Sequence, residues 1–511
     1  MKLVKYGIFG GFSMILLLTI SCSKQLDQKP PSAVETSLFY SNTQDFTQAV
    51  TGAYNQLHSY PDQVLWMGEM RSDNINATSD GNRDWQGIRN FSSSLSSVGF
   101  ITAAWDDNFN GIYNTNSVLD NLATKGSNIT TPGLAARFSG ECHFLRAFYY
   151  FQLLRLYGQV PIVPHALTVA EVEKIKRSPV SDVYSFIISD LDTAIALLPG
   201  SYGAADVGRA TKWSAEGLLG LVYLTRSGPA YSGVNGPTLG ANEWDSAEAH
   251  FNNVINSGQF QFLSNYPSIF SYTNEDNKEV VFNVEFMSTN NGADYPSQLT
   301  PQGYWNGLGL SGYGNGYGTT TFDITSDLTK SYANSAGGKV DQRDTFNIAW
   351  SYPKTLGGAP DSADPFIKKY INPATGKRGT GLRDWPINFI VMRYTDVLMM
   401  KAEAILHGAS GSQSTVDSIV NLVRTRAGIP TTSNVTLPQL MEERRREFLG
   451  EGIRWNDLVR EGMAVTTMNS WIASDTETLI NQVVPNYVIY PVPSSEILTV
   501  PGLYTQNPGY Q

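Results

Sequence analysis

Four aromatic rings stand in the stretch YWNGLGLSGYGNGYG, residues 304–318, interleaved with glycine and free of charge. Glycine at that density does not build a core, so the segment reads as a loop whose rings offer flat faces or pin it to the body. Reactive chemistry is thinly supplied by comparison. The five histidines, His58, His143, His165, His250 and His407, include no pair four residues apart, which excludes an H-E-x-x-H zinc helix. GLGLSG at 307–312 has the letters of G-x-G-x-x-G, yet more glycine rather than a helix follows it. A G-x-S-x-G elbow, a P-loop and a full calcium-loop pattern are missing, so neither cofactor nor metal is expected. Two carboxylates roughly 5 to 10 Å apart would suffice for glycosidic hydrolysis, but no pattern singles out such a pair. The densest charge cluster, ERRREFLGEGIRWNDLVR at 442–459, alternates in sign at three- and four-residue spacing and predicts a salt-bridged helix face rather than an anion site.

The elements that must position these residues are mostly helices. In VSDVYSFIISDLDTAIALLPG, 180–200, Val183, Phe186, Ile187, Leu191, Ala194, Ile195 and Leu198 recur at helical spacing against a polar face, and Pro199 with Gly200 stops the run. GECHFLRAFYYFQLLRLYGQVPIV, 140–163, is apolar on nearly every side and ends at Gly158, which predicts a central helix buried among several neighbours. Further helices are predicted at 43–60, 211–226, 243–258, 393–408 and 414–428. Neighbouring pairs make a tetratricopeptide-like scaffold of helical hairpins without a clean 34-residue period. From 259 to 390 the texture turns to Gly, Asn, Tyr and Thr, with short strand-like runs such as EVVFNVEF at 279–286 and no obvious amphipathic helix beyond about two turns. The expected fold is therefore mainly α, with a large irregular insertion carrying short strands.

At 511 residues the chain is long enough for two lobes, or for one lobe with large insertions. Its formal charge of -10 argues against a phosphate-backbone partner, so nucleic acid is excluded. Lys2 and Lys5 precede an apolar run from Ile8 to Ile20, too short to span a bilayer, which meets Ser21 and Cys22. This start resembles a bacterial lipoprotein signal, with Cys22 as the lipidation site and Thr19 where leucine is usual. With Cys22 acylated, Cys142 has no partner and the exported protein lacks an internal disulfide. The reading divides the chain into a signal at 1–21, a tether at 22–42, a helical region at 43–258, an irregular ligand-binding lobe at 259–390 and a second helical region at 391–511.

FLRAFYYFQLLRLYGQVPIV, RSPVSDVYSFIISDLDTAIALLP, GRATKWSAEGLLGLVYL, RYTDVLMMKAEAIL, ERRREFLGEGIRWNDLVR and YPVPSSEILTVPGLYTQNPGY, taken in order, resemble the SusD/RagB family of outer-membrane lipoproteins of Bacteroidetes. The resemblance runs over nearly the whole chain. It implies a cell-surface binding protein, not an enzyme, that holds an oligosaccharide on a looped face and caps a SusC-like TonB-dependent transporter. A sugar ring packs its C–H face on an aromatic plane, and its hydroxyls seek amides and carboxylates at the rim. Tyr304, Trp305, Tyr313 and Tyr317 are the candidate platform rings, with Asn306 and Asn315 beside them. WMGEMRSDNINATSDGNRDW, 66–85, adds Trp85 with Asp73, Asn74, Asn76 and Asp80, whereas Trp66 reads as core. WSYP at 350–353 is a third region expected to converge there, and Trp105 and Trp213 belong to the scaffold. Two alternatives stay open: a peptide-loading member of the same architecture, and, more remotely, a surface glycoside hydrolase.

Overall fold

The computed structural model describes residues 39–76, 84–289, 291–310, 322–362, 365–371 and 384–511. Helices come in chain order and each packs on the next: Thr43–Asn55 on Gly99–Lys125, then Leu134–Tyr157, Val180–Leu197, Lys212–Ser227 and Trp244–Asn256. The helix Trp244–Asn256 then packs on Tyr394–Leu406, which packs on Gln413–Arg426. The stacking thus skips the residues between 256 and 394, which fold as an insertion against the scaffold. This is a mainly helical, tetratricopeptide-like fold.

The 134–157 helix lies at the centre because it has almost no polar face, and Phe144, Leu145, Phe148, Tyr150, Phe151 and Leu154 are all buried. It ends where the sequence predicts. Gly158 takes φ +71°, and a Cβ there would collide with the Asn235 carbonyl, so only glycine fits. Cys142 on this helix is a free buried thiol, pushed up by its apolar surroundings.

Three features depart from the sequence reading. The longest described helix, Gly99–Lys125, carries Trp105 as a scaffold residue, but its extent was unread because its buried face is built partly from Asn108, Gly111, Thr115 and Asn116 rather than from aliphatics alone. The insertion contains a three-turn helix, Ser326–Ala336, held by a Thr325 cap on Leu328 N and by buried Leu328, Tyr332 and Ala336 at four-residue spacing. The charged run is not one surface helix face. It forms two helices, Leu437–Glu447 and Arg454–Arg460, separated by Gly450 and Gly452 at positive φ, and Arg444, Arg445, Arg446, Arg454 and Arg460 are all buried.

Carboxylates of the same run, Glu443, Glu447 and Glu451, centre a buried web of ions that braces the insertion on the scaffold. Arg393 meets Glu451 at 2.8 Å and Glu447 at 3.1 Å, and Arg426 meets Glu447 at 2.7 Å. From the insertion, Arg343 reaches Glu443 at 2.7 Å and Lys369 reaches Glu451 at 2.5 Å. Burial opposes charge on Glu447, but the Arg426, Arg393 and Arg343 guanidiniums override it and keep the carboxyl below its ordinary value. Beside this web Val280–Val284 pairs antiparallel with Phe389–Arg393, closing the insertion at its two ends.

Candidate functional site

The segment that leaves at Asn76 and the segment that returns at Phe322 are stitched together. Ile75 bridges Ile324, Asn76 N donates to Asp323 O at 2.8 Å, and the Asn76 amide donates to Asp323 Oδ2 and Ile324 O at 3.0 Å each. Thr325 closes the next step, its N–H on Asn74 O and its hydroxyl on Asp73 O. A third strand of chain joins when Asp323 bridges Phe366. A fourth arrives when Trp385 exchanges both backbone hydrogen bonds with Ala293.

Rings tie these segments into one ridge. Trp66 lies 4.7 Å from Phe100, 5.0 Å from Phe322 and 6.5 Å from Trp85 between ring centroids. Its indole donates to Gln298 Oε1 at 2.7 Å, and the Gln298 amide donates to Asp62 and Asp294. One residue away, Ser297 Oγ accepts from the Trp385 indole, and Trp385 stacks on Trp305 at 5.6 Å. Tyr304 continues the ridge at 5.6 Å from Tyr352 and 5.1 Å from Phe366. Gly307 permits that last approach, because a Cβ would overlap the Pro353 carbonyl oxygen. Beside the ridge a cavity of about 170 Å³ is lined by His58, Asp62, Phe286 and Asp294. His58 stacks on Phe286 and is pulled below its ordinary value by burial, so it presents a neutral imidazole there near neutral pH.

The residues named from the sequence fall on this ridge in different roles. Asp73 is 1% exposed, with its carboxylate oxygens 2.9 and 2.8 Å from the Arg454 guanidinium. Burial alone would raise it, but Arg445 and Arg454 hold it well below the usual carboxylate range. Asn74 donates to Glu69 and accepts from Arg445 Nε, which uses its amide inside the protein. Both are anchors of the loop rather than ligand groups, because their partners are already filled. Trp85 and Trp305, 6% and 1% exposed, are likewise packed into the ridge instead of standing free as platforms. Tyr304 and Asn306 keep open surface, and Asn306 Oδ1 accepts from Gln302. Asn76 is half-buried and Trp350 donates to Asp344. Tyr313, Tyr317, Asn315, Asp80 and Cys22 lie outside the described residues. The sequence reading missed Trp385, Phe322 and Gln298, whose only signal was a ring or amide close to a polar, glycine-bearing stretch.

A groove of about 990 Å³ lies elsewhere, between the 326–336, 437–447 and 464–474 helices. Its charged walls are largely engaged with one another, Arg445 with Asp327 at 2.7 Å and both Arg424 and Arg446 with Glu443 at 2.8 Å. Its one ring, Trp471, is buried, whereas on the ridge Tyr304 keeps part of its ring in water. Among the described residues, no group of three or more His, Cys, Asp or Glu is placed to hold a metal ion. No described helix is long and apolar enough to cross a membrane.

Comparison with known proteins bears on what such a ridge does. Residues 24–224 match a family described as starch-binding associating with the outer membrane, and residues 338–510 match the SusD family. The chain belongs to the SusD family. SusD-like protein P2 of Formosa agariphila is 26% identical, covering 98% of this chain and 99% of its own. The starch-binding protein SusD of Bacteroides thetaiotaomicron is 25% identical over 73% of each chain. Among solved structures, surface glycan-binding protein A of Bacteroides thetaiotaomicron in complex with laminarihexaose superposes with a TM-score of 0.75. It is 21% identical and covers 92% of this chain and all of that one. The SusD-family fold thus accounts for the helical scaffold, and the aromatic ridge joins its 66–100 segment to the insertion.

Proposed function

We propose that this SusD-family protein is a glycan-binding lipoprotein of the cell surface, anchored through Cys22, that captures oligosaccharide and delivers it to a SusC-like TonB-dependent transporter. The observation that carries the reading is the ridge itself: rings and amides from four separated segments pack together, with Tyr304 and Asn306 half-buried at its edge. Rings flanked by amide and carboxylate groups match the alternating C–H faces and hydroxyls of a sugar chain. Relatives named as starch-binding or glycan-binding support the same class of ligand. The mechanism is capture without bond breakage. Holding the ligand beside the transporter raises its local concentration before import.

Affinity electrophoresis of the soluble protein, begun after Cys22, tests this against a panel that includes laminarin and starch, with laminarihexaose as competitor. One glycan is expected to retard the wild type, and Tyr304→Ala with Asn306→Ala is expected to remove the retardation while the melting temperature holds. Retardation by no glycan, alone or with the transporter present, would overturn the reading.

A further inference from the structure

Another concave surface shares no lining residue with the ridge. It is a groove of about 420 Å³ between the 99–125 helix, the 161–172 segment and the C-terminal residues 496–504. Its floor is aromatic: Trp105 lies 5.0 Å from Phe109 and 6.4 Å from Tyr504 between centroids. Asp106, Asn110 and Tyr113 follow at helical spacing along its open side, and Glu496 faces them from the short helix Ser494–Thr499. Among the described residues no lysine or arginine lines it, and the histidine that does, His165, is engaged by Asp120 at 2.7 Å.

Two properties of this groove point to the same kind of occupant. Large apolar side chains are left in water on its lining elements: Tyr113 in the lining is 56% exposed, Val169 three residues before the lining Val172 is 75% exposed, and Leu498 two residues after Glu496 is 73% exposed. An exposed apolar patch around a polar centre marks a surface that another molecule covers. Two carboxylates, Asp106 on the open side and the half-buried Glu496, have no lysine or arginine beside them among the described lining residues. Burial, and then the charge of Asp106, push Glu496 above its ordinary value, with some relief from the Trp105 indole. A cation placed between them would relieve that repulsion and gain from the ring faces beside it. A neutral sugar would answer the rings but neither the missing cation nor the aliphatic rim.

We propose that this groove docks an extended polypeptide segment of a partner, one that presents an arginine or lysine between apolar residues. The basic side chain lies over Phe109 and Tyr113 and meets Asp106 and Glu496, and the flanking apolar residues cover Val169 and Leu498. This inference is independent of the glycan reading, since the two sites have no residue in common.

The test uses the soluble chain with a capped peptide, Gly-Leu-Arg-Leu-Gly, and its citrulline counterpart, followed by calorimetry and saturation-transfer NMR. The arginine peptide is expected to saturate with a Kd of about 1 mM or tighter. The citrulline peptide, and the arginine peptide on an Asp106→Asn, Glu496→Gln variant, are each expected to bind about tenfold more weakly. Tyr113→Ala removes an exposed ring, so it tests the stacking without risk to the core. Equal binding of both peptides, unchanged binding by the double variant or by Tyr113→Ala, or no saturation at about 10 mM would overturn the proposal. Should the double variant fail to fold, Asp106→Asn alone decides, because that side chain is exposed. Displacement of the peptide from this groove by laminarihexaose would also overturn it in favour of a second sugar site.

Discussion

At Asp73 a carboxylate without water is shared between two guanidiniums, and the consequences of that arrangement are measurable. Removing one member of a buried ion pair leaves the other uncompensated, at a cost of about 3 to 5 kcal/mol. Asp73→Asn is therefore expected to lower the urea midpoint strongly, since Arg454 and Arg445 lose their common partner. Combining Asp73→Leu with Arg454→Met should recover part of the loss, because neither charge then remains stranded. If Asp73→Asn unfolds at the wild-type midpoint and weakens only ligand binding, the anchor role is wrong. The pair also shows what residue type can and cannot say. An aspartate and an asparagine in DNINATSDGN look like sugar partners. Nothing local announces that Arg445 and Arg454, more than 370 positions away, have already taken them.

Among the elements, the segment Gln302–Gly307 decides how the ridge is presented. It packs on Tyr352–Pro353 with Gly307 directly under the Pro353 carbonyl, so a single methyl group at 307 forces the two apart. Gly307→Ala is expected to shift Tyr304 off Tyr352 and Phe366 and to cut glycan affinity at least about tenfold. Far-UV circular dichroism should barely change, because the helical scaffold does not depend on that contact. Wild-type affinity in Gly307→Ala would detach this segment from the site. The 180–197 helix was legible from periodicity and the 134–157 helix from its nearly unbroken apolar run, each with its Pro or Gly stop. The extent of the 99–125 helix was not, since Asn, Gly and Thr share its buried face, and the 326–336 helix was not, since it buries only Leu328, Tyr332 and Ala336 within a polar stretch. Sequence likewise exposed the loops by their glycines. It could not reveal that Ile75 pairs with Ile324, which is a fact of tertiary packing across almost 250 residues.

For the whole molecule, the balance between two classes of buried carboxylate sets the response to pH. Glu275 and Glu285 are pushed up to about 7, both chiefly by burial and then, for Glu285, by the charge of Asp276. In the unfolded chain they titrate near 4.5, so between about pH 4.5 and 7 the folded state binds more protons and stability falls as pH rises. Asp73, Glu443 and Glu447 behave oppositely. Arginines hold them below their ordinary values, so their contribution is present above about pH 4 and is lost as pH falls through the folded values. His58, kept neutral by burial, also costs stability as pH falls below 6.5 and tempers the gain from the raised acids. The melting temperature should therefore peak on the acid side of neutrality, near about pH 5 to 6, and decline toward both pH 8.5 and pH 4. Glu285→Gln isolates the alkaline limb: glutamine still accepts from the Asn388 amide and offers an N–H to Asp276, as the protonated acid does. At pH 8.5 the variant is expected to be more stable by about 1 kcal/mol, less than the full shift implies because water still reaches the carboxyl. At pH 5 the two proteins should melt together. A wild-type slope between pH 5.5 and 8.5 that survives unchanged in Glu285→Gln would mean that this carboxylate is ionised in the folded protein at little cost, and that the alkaline decline has another source.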